Sequence, residues 1–362
     1  MNYNQPLFFS PNRVWRLYTG GKLLDEFTGT KHGSDGHFPE EWLASVVLAN
    51  NGDHSQKAGE GLSLISLDNQ NSLTLSDLLE KEAPLILGEK HFGKYGNSTA
   101  ILCKYLDSAV RLPIQCHPDS LTAQKLYHSP FGKTECWHII STRVIENEPP
   151  YILLGFRKDV EPLQFEKAVY EQNIPGMIGM LHKMEVHPGD TYFVPGRIPH
   201  AIGSGVFMLE VQEPSDWVIQ PEQYCADIRL SHTDMWGPLT PEDGLKVFDY
   251  TGYTQPELMN RVAPSNYVQK QAHEIKIIEL IGSGHTQAFG LWKVIVSGKT
   301  PLILPVEFAI FVIIKGEGTI YWDGSERHLK QSDCFLMPAT IRHMEFASDA
   351  ELEMLVCLPP VI

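Results

Sequence analysis

The sequence contains no cluster of basic residues, although charged residues make up 20% of its 362 positions. It has 29 lysines and arginines against 44 aspartates and glutamates, which gives a formal net charge of −15. Nucleic acids and anionic membrane surfaces select concentrated positive charge. We therefore expect neither as a partner. The negative charge only mildly opposes a phosphorylated ligand, because a local basic pocket can override it.

Hydrophobic runs of membrane-spanning length are also missing, and the first residues, MNYNQPLFFSPNRVW, lack the charged start and apolar stretch of a signal peptide. The six cysteines show no Cys-x-x-Cys spacing and fall mainly in apolar segments. These absences predict a cytoplasmic protein whose cysteines are reduced core residues. With 43% hydrophobic residues, the chain is long enough for two domains with cores of their own.

Short apolar segments separated by glycine and proline follow residue 135, a pattern typical of a β-barrel or jelly roll. The segment GDTYFVPGRIPH at 189–200 is echoed by SDCFLMPATIRH at 332–343, with the same offsets to its proline and histidine. Both copies resemble the second motif of the cupin superfamily. We predict a mainly β protein with two cupin (jelly-roll) barrels and a partly helical insert. The expected limits are 1–215, 216–270 and 271–362.

Local signals predict a few further elements. Thr74, Asp119 and Thr240 each stand before a helical pattern as capping residues, and Pro241 follows Thr240 at the first helical position. The apolar density of 41–49 favours a buried strand.

Gln115 and His117 stand two residues apart in a strand-like segment that ends at Pro118. Residues two apart on a strand point to the same face, so these side chains can converge while Cys116 points away. With Glu135 and His200 they form the candidate ligands of one divalent metal, since two imidazoles, a carboxylate and a neutral amide oxygen suit zinc with positions left open. A Gln-x-His pair alone is equally typical of buried, hydrogen-bonded side chains.

The combined motifs are more specific than the pair. IQCHPD at 114–119, GKTECW at 132–137 and PGRIPH at 195–200 resemble the zinc-dependent type I phosphomannose isomerases in order, spacing and flanking residues. The likeness covers most of the first 215 residues, including ILCKYLD at 101–107 and LEVQEPSD at 209–216.

This resemblance implies an enzyme with one Zn²⁺ per chain that interconverts mannose 6-phosphate and fructose 6-phosphate by proton transfer between C1 and C2 through a cis-enediol. It implies Gln115, His117, Glu135 and His200 as ligands. Lys133 and Glu210 match residues that are candidates for the proton carrier, and Lys104 is a candidate phosphate contact.

Two positions depart from the family pattern. Pro113 stands where the family usually has serine, and Gln220 stands where it usually has arginine. An amide in place of a guanidinium removes a cation and its paired donors. Other arginines are candidates to supply that charge to the substrate, namely Arg157, Arg197 and Arg229.

Three hypotheses follow. The first is an isomerase acting on mannose 6-phosphate, the second is the same chemistry on another sugar, phosphorylated or unphosphorylated, and the third is a non-catalytic sugar-binding cupin that keeps its metal. An open ligand set favours the first two. The sequence leaves a monomer and a homodimer equally open.

Three further histidines are expected to be outside the metal site. His343 echoes His200, but its segment has no Gln-x-His partner, which favours a structural barrel without metal. His32 and His37 flank a polar glycine-containing loop and are expected to be solvated rather than to bind a second metal.

Overall fold

The computed structural model of the chain describes residues 4–51, 54–66, 73–264 and 267–362. The protein is mainly β, as predicted, with antiparallel pairing in all but one strand pair of the described sheets. In chain order the described strands are β1 Leu7–Phe8, β2 Arg13–Val14, β3 Glu40–Leu43, β4 Leu64–Ile65, β5 Leu73–Thr74, β6 Leu102–Ser108, β7 Glu135–Thr142, β8 Tyr151–Arg157, β9 Leu181–Glu185, β10 Thr191–Val194, β11 His200–Ile202, β12 Val206–Gln212, β13 Tyr224–Cys225, β14 Ile228–Arg229, β15 Gly252–Tyr253, β16 Tyr267–Gln271, β17 Ile275–Ile281, β18 Gly290–Val296, β19 Lys299–Pro301, β20 Ala309–Lys315, β21 Glu317–Trp322, β22 Ser325–Lys330, β23 Cys334–Met337, β24 Met344–Ala347 and β25 Leu352–Leu358.

Helices connect and cover these strands. In the described ranges they are α1 Lys22–Phe27, α2 Leu75–Leu87, α3 Glu89–Tyr95, α4 Ser120–Tyr127, α5 Pro162–Tyr170, α6 Ile174–Gly179, α7 His232–Trp236, α8 Pro241–Leu245 and α9 Gln255–Val262. The three predicted caps are confirmed, since the side chains of Thr74, Asp119 and Thr240 each accept a backbone N–H three residues on. No helix among the described residues is long and apolar enough to cross a membrane.

The first half of the chain is built on a six-stranded sheet in the order β10-β7-β12-β6-β3-β2, beside a sheet of β11, β8 and β15 to which β9 adds. Alternate residues of β12 enter different cores: Val206 and Met208 face the second sheet, and Phe207 and Leu209 face the C-terminal half. Both faces of the six-stranded sheet are therefore buried.

The C-terminal half contains a seven-stranded sheet in the order β1-β23-β20-β25-β18-β17-β16 and a four-stranded sheet in the order β19-β24-β21-β22. Aromatic side chains fill the core between them, including Phe311, Phe335 and Phe346. The edge strand β1 comes from the N-terminus and pairs Leu7 with Leu336. The predicted domain limits stay a prediction, and residues 7–8 add to the C-terminal sheet rather than to the first half.

The predicted strand over 41–49 is wrong in extent. The strand ends at Leu43, because Ala44 has a positive φ of 47°, a conformation that a continuing strand cannot contain. The chain then leaves the core, and Leu48 is 60% exposed.

Candidate active site

Three of the four predicted ligands lie together at one end of the first half. Glu135 begins β7, His200 begins β11, and His117 ends the segment that pairs with β11 through Gln115. His117 Nε2 lies 3.1 Å from Glu135 Oε1 and 3.2 Å from His200 Nε2, and all three side chains are buried. Their possible ligand atoms fall within 4.8 Å of one another, the separation expected of a metal site.

Backbone carbonyls fix the orientation of both imidazoles. His117 Nδ1 lies 2.9 Å from the Trp217 carbonyl oxygen, and His200 Nδ1 lies 2.9 Å from that of Ile198. Because a carbonyl only accepts, each Nδ1 must carry the proton, and the two Nε2 lone pairs face each other. Burial is the main cause that lowers the pKa of His117, to about 3, and that of His200, so both rings are neutral and suited to bind a metal.

Glu135 completes the donor set with an anionic oxygen. Oε2 accepts a hydrogen bond from Trp137 Nε1 at 3.1 Å, whereas the buried Oε1 accepts none from the described residues. Burial opposes the charge, but the neighbouring Lys133 ammonium favours it, and the pKa of this carboxyl lies well below its ordinary value. Two facing nitrogen lone pairs and a carboxylate oxygen are the donors that zinc takes, so these residues fit that metal.

Gln115 lies beside the three ligands. Its backbone exchanges two hydrogen bonds with His200, at 2.7 and 2.9 Å, and its side chain lines the same cavity. Ile114 and Cys116 enter the hydrophobic core instead, which is the alternation expected of an extended segment. Ligation by the Gln115 amide oxygen stays a prediction.

The two candidate proton carriers border the ligand cluster. Lys133 Nζ lies 3.1 Å from both His117 Nε2 and Glu135 Oε1. Glu210 lies on β12, directly across from Lys104 on β6, and the two side chains form a 3.3 Å ion pair. Burial is the main cause that raises the pKa of Glu210, to about 8, and the charge of Glu135 adds to it.

The arginines named from the sequence are placed elsewhere. Arg197 donates to backbone carbonyls of 246–248, Arg157 lies near the exposed Asp159, and Arg229 lines a separate cavity with Gln223. None of these lines the cavity at the ligand cluster. Gln220 does line it, and its amide donates to the Asp234 carbonyl. Lys104 and Lys133, both named from the resemblance, also line this cavity, and their roles stay predictions.

Two features of the cavity had no counterpart among the sequence predictions. The N-terminal segment contributes Trp15 and Arg16 to the lining. Trp15 is stacked between two imidazoles, with ring centroids 5.5 Å from His37 and 4.6 Å from His54. His37 is therefore half-buried against the cavity wall rather than solvated, while His343 is exposed in the C-terminal half.

Buried carboxylates hold the loops that carry the ligands. Glu213 accepts hydrogen bonds from Ser120 Oγ and from the backbone N–H groups of Gly132 and Thr134, just before Glu135. Glu222 accepts two from the Arg111 guanidinium and one from the backbone N–H of Ile114, just before Gln115. The partners are some 80 to 110 positions apart in the sequence, so no local pattern marks these glutamates.

We expect Glu213→Ala to weaken zinc binding by roughly 10- to 100-fold, because the segment that positions Glu135 loses two backbone hydrogen bonds, together with the one from Ser120 on α4. Competition with a chelator of known affinity measures the change. Glu326→Ala, at an exposed glutamate on β22, is the matched control. Equal zinc affinity in the two variants would show that Glu213 does not support the ligand.

Relatives and solved structures agree with this site. No protein-family model matches the chain. It is 26% identical to a Bacillus subtilis protein named probable mannose-6-phosphate isomerase GmuF, over 98% of this chain and 99% of that protein, and 25% identical to the mannose-6-phosphate isomerase ManA of the same organism, over 96% and 97%.

Among solved structures, the mannose 6-phosphate isomerase of Bacillus subtilis superposes with a TM-score of 0.74 at 22% identity, covering 97% of this chain and 99% of that one. A mannose 6-phosphate isomerase bound with zinc and yttrium superposes with a TM-score of 0.68 at 15% identity, covering 98% and 99%. Along nearly its whole length the chain is thus a homologue of proteins named mannose-6-phosphate isomerases, and it has the fold of the solved phosphomannose isomerases.

Proposed function

We propose that this protein is a zinc-dependent aldose-ketose isomerase that interconverts mannose 6-phosphate and fructose 6-phosphate. The observation that carries the proposal is the buried cluster of His117, Glu135 and His200, of which Glu135 and His200 line a cavity together with Lys133 and Glu210. Homology to proteins named for this reaction supports the choice of substrate.

The zinc ligands would be His117, Glu135 and His200, with Gln115 as the fourth. When bound, the metal supplies a positive charge that polarises the sugar carbonyl and stabilises the negative charge that develops on its oxygen. The carbonyl contacts at both Nδ1 atoms keep the Nε2 atoms aimed at the site before any ligand arrives.

Proton transfer between C1 and C2 requires a group that alternately accepts and donates a proton at the same face of the sugar. Glu210 is suited to this task, because its carboxyl lines the cavity beside the ligand cluster and burial raises its pKa, which favours uptake of a proton. The ion pair with Lys104 holds the carboxyl in place. Lys133 is the alternative carrier, because its ammonium already reaches two of the ligands.

An unphosphorylated sugar remains the second candidate substrate because the cavity wall is rich in acids. Glu40, Asp216 and Asp234 line it in addition to Glu135 and Glu210. Carboxylates hydrogen-bond sugar hydroxyls and oppose a phosphate dianion. The partner is in either case a small molecule rather than a nucleic acid.

A coupled assay that compares mannose 6-phosphate with free mannose tests the proposal. We expect chelator-sensitive turnover of mannose 6-phosphate by the zinc-loaded protein, at a higher kcat/KM than that of free mannose. Preference for free mannose would support the second candidate substrate. Sugar binding without any turnover would leave only a metal-containing sugar-binding protein.

A further inference from the structure

Three cations line the cavity among the residues that the structure describes: Arg16, Lys104 and Lys133. Lys133 contacts the ligands His117 and Glu135. Lys104 lies between Glu210 at 3.3 Å and Glu40 at 3.8 Å. Both ammonium groups are therefore engaged at the inner end of the cavity, where the carbon atoms that react would lie.

Arg16 also contacts Glu40, and its side chain is more exposed than those of Lys104 and Lys133, at 12% against 5%, which places it nearer the solvent end of the cavity. Its Nε pairs with Glu40 Oε2 at 3.0 Å, while Lys104 approaches the same carboxylate oxygen from the inner side. A line of charged groups thus runs from Glu135 through Glu210, Lys104 and Glu40 to Arg16. A ligand that spans the cavity with its carbonyl at the metal ligands would place its other end beside this guanidinium.

The Arg16 side chain is held in one orientation. Its guanidinium carbon lies 5.1 Å from the ring centroid of Trp42, and Nη1 donates to Asn51 Oδ1 at 3.0 Å. Asp216 Oδ2 is 3.6 Å from Nη1 and already accepts the backbone N–H of Asn50, so its contact with Arg16 is the looser one. Burial opposes the charge, but Glu40 and Asp216 outweigh it and raise the pKa of Arg16.

These contacts occupy Nε and Nη1 and leave Nη2 without a hydrogen bond to any residue in the described ranges. A guanidinium that is fixed by packing and by two of its nitrogens offers its remaining donors with little further loss of side-chain freedom. Phosphate oxygens are the acceptors that best match such donors.

We propose that Arg16 binds the phosphate group of the sugar substrate through Nη2. The proposal rests on the isomerase function proposed above and assigns the recognition of the phosphorylated end to the N-terminal segment. The Arg16 guanidinium offsets the repulsion that the neighbouring carboxylates of Glu40 and Asp216 would exert on a phosphate.

Equilibrium binding of mannose 6-phosphate and of free mannose, measured by calorimetry on the zinc-loaded protein, tests this assignment. We expect Arg16→Gln to weaken binding of mannose 6-phosphate by about 100-fold, since a charge-assisted contact to a desolvated anion is lost, and to leave binding of free mannose unchanged. Arg16→Lys keeps the charge next to Glu40 but loses the paired N–H donors of the guanidinium. We therefore expect a loss of mannose 6-phosphate affinity that is smaller than in Arg16→Gln.

Arg13→Gln is the matched control, because Arg13 lies three residues earlier and pairs with Asp25 and Glu41 without lining the cavity. Inorganic phosphate gives a readout free of the sugar: it should compete with mannose 6-phosphate on the wild-type protein and not on Arg16→Gln. Unchanged mannose 6-phosphate affinity in a folded Arg16→Gln or Arg16→Lys protein would overturn the assignment. An equal loss for both sugars would also overturn it, because general damage to the cavity explains that result.

The two proposals fail in different ways. If the wild-type protein turns over mannose 6-phosphate and Arg16→Gln binds that sugar with unchanged affinity, the role of Arg16 is contradicted and the isomerase proposal stands. If binding of mannose 6-phosphate depends on Arg16 but the wild-type protein does not turn it over, the isomerase proposal is contradicted and the phosphate contact stands.

Discussion

Alanine at His117 or His200 is expected to remove both the bound zinc and the isomerase activity. Each substitution deletes one of the two imidazoles from the buried candidate metal site, and the remaining nitrogen and carboxylate donors would be too few to hold the ion. Charge stabilisation by a metal is worth several kcal/mol, so turnover should fall by ~10³-fold or more. Elemental analysis of the purified variants reports the metal independently of activity.

His343→Ala is the matched control for this experiment. His343 holds the position in 332–343 that His200 holds in 189–200, but it is exposed and lies far from the ligand cluster in the chain. The control should keep about one zinc per chain. Loss of zinc from folded His343→Ala, or full zinc content in the double variant of His117 and His200, would mean that the metal is bound elsewhere.

Glu210→Gln is expected to lower kcat by roughly 10²- to 10⁴-fold while the protein keeps its zinc, because an amide has the shape of the carboxyl but cannot carry the proton. Glu210 is buried and lies outside the cluster of possible ligands, so metal content should not change. Turnover of mannose 6-phosphate measures the fall in kcat. Exchange of solvent deuterium into the C2 position of the sugar measures the proton transfer itself.

Lys133→Met is the comparison that assigns the proton carrier. A larger fall in deuterium exchange for Glu210→Gln than for Lys133→Met supports Glu210. The reverse order, with zinc retained in both variants, would transfer the role to Lys133, which contacts His117 and Glu135 directly.

The cluster of His117, Glu135 and His200 could be predicted from the sequence because each of these residues is tied to a local pattern. His117 follows Gln115 at strand spacing, Glu135 begins a strand, and His200 begins another after a glycine and proline turn. The mainly β fold and the three helix caps were likewise predicted from short stretches whose geometry is decided by neighbouring residues.

Features that depend on distant segments could not be predicted in this way. Arg16 reaches the cavity because Glu40, Asn51 and Asp216 surround it, and the last of these is 200 positions away. The sequence suggested three other arginines, yet none carries a local signal of where its side chain lies. The strand expected over 41–49 stopped early for a related reason, since the positive φ of Ala44 is a property of the turn and not of alanine.

The N-terminal strand has a consequence for how the chain folds. β1 pairs with β23 through Leu7 and Leu336, while Arg13 and Arg16, only a few residues later, pair with Glu41 and Glu40 in the first half. Contacts between residues so far apart in sequence form late, because a very long loop must close before they are gained. During synthesis the first half emerges well before residues 334–337. The strand Leu7–Phe8 can therefore pair only after most of the chain has left the ribosome, whereas the contacts that place Arg16 in the cavity, with Glu40, Asn51 and Asp216, need none of the C-terminal residues.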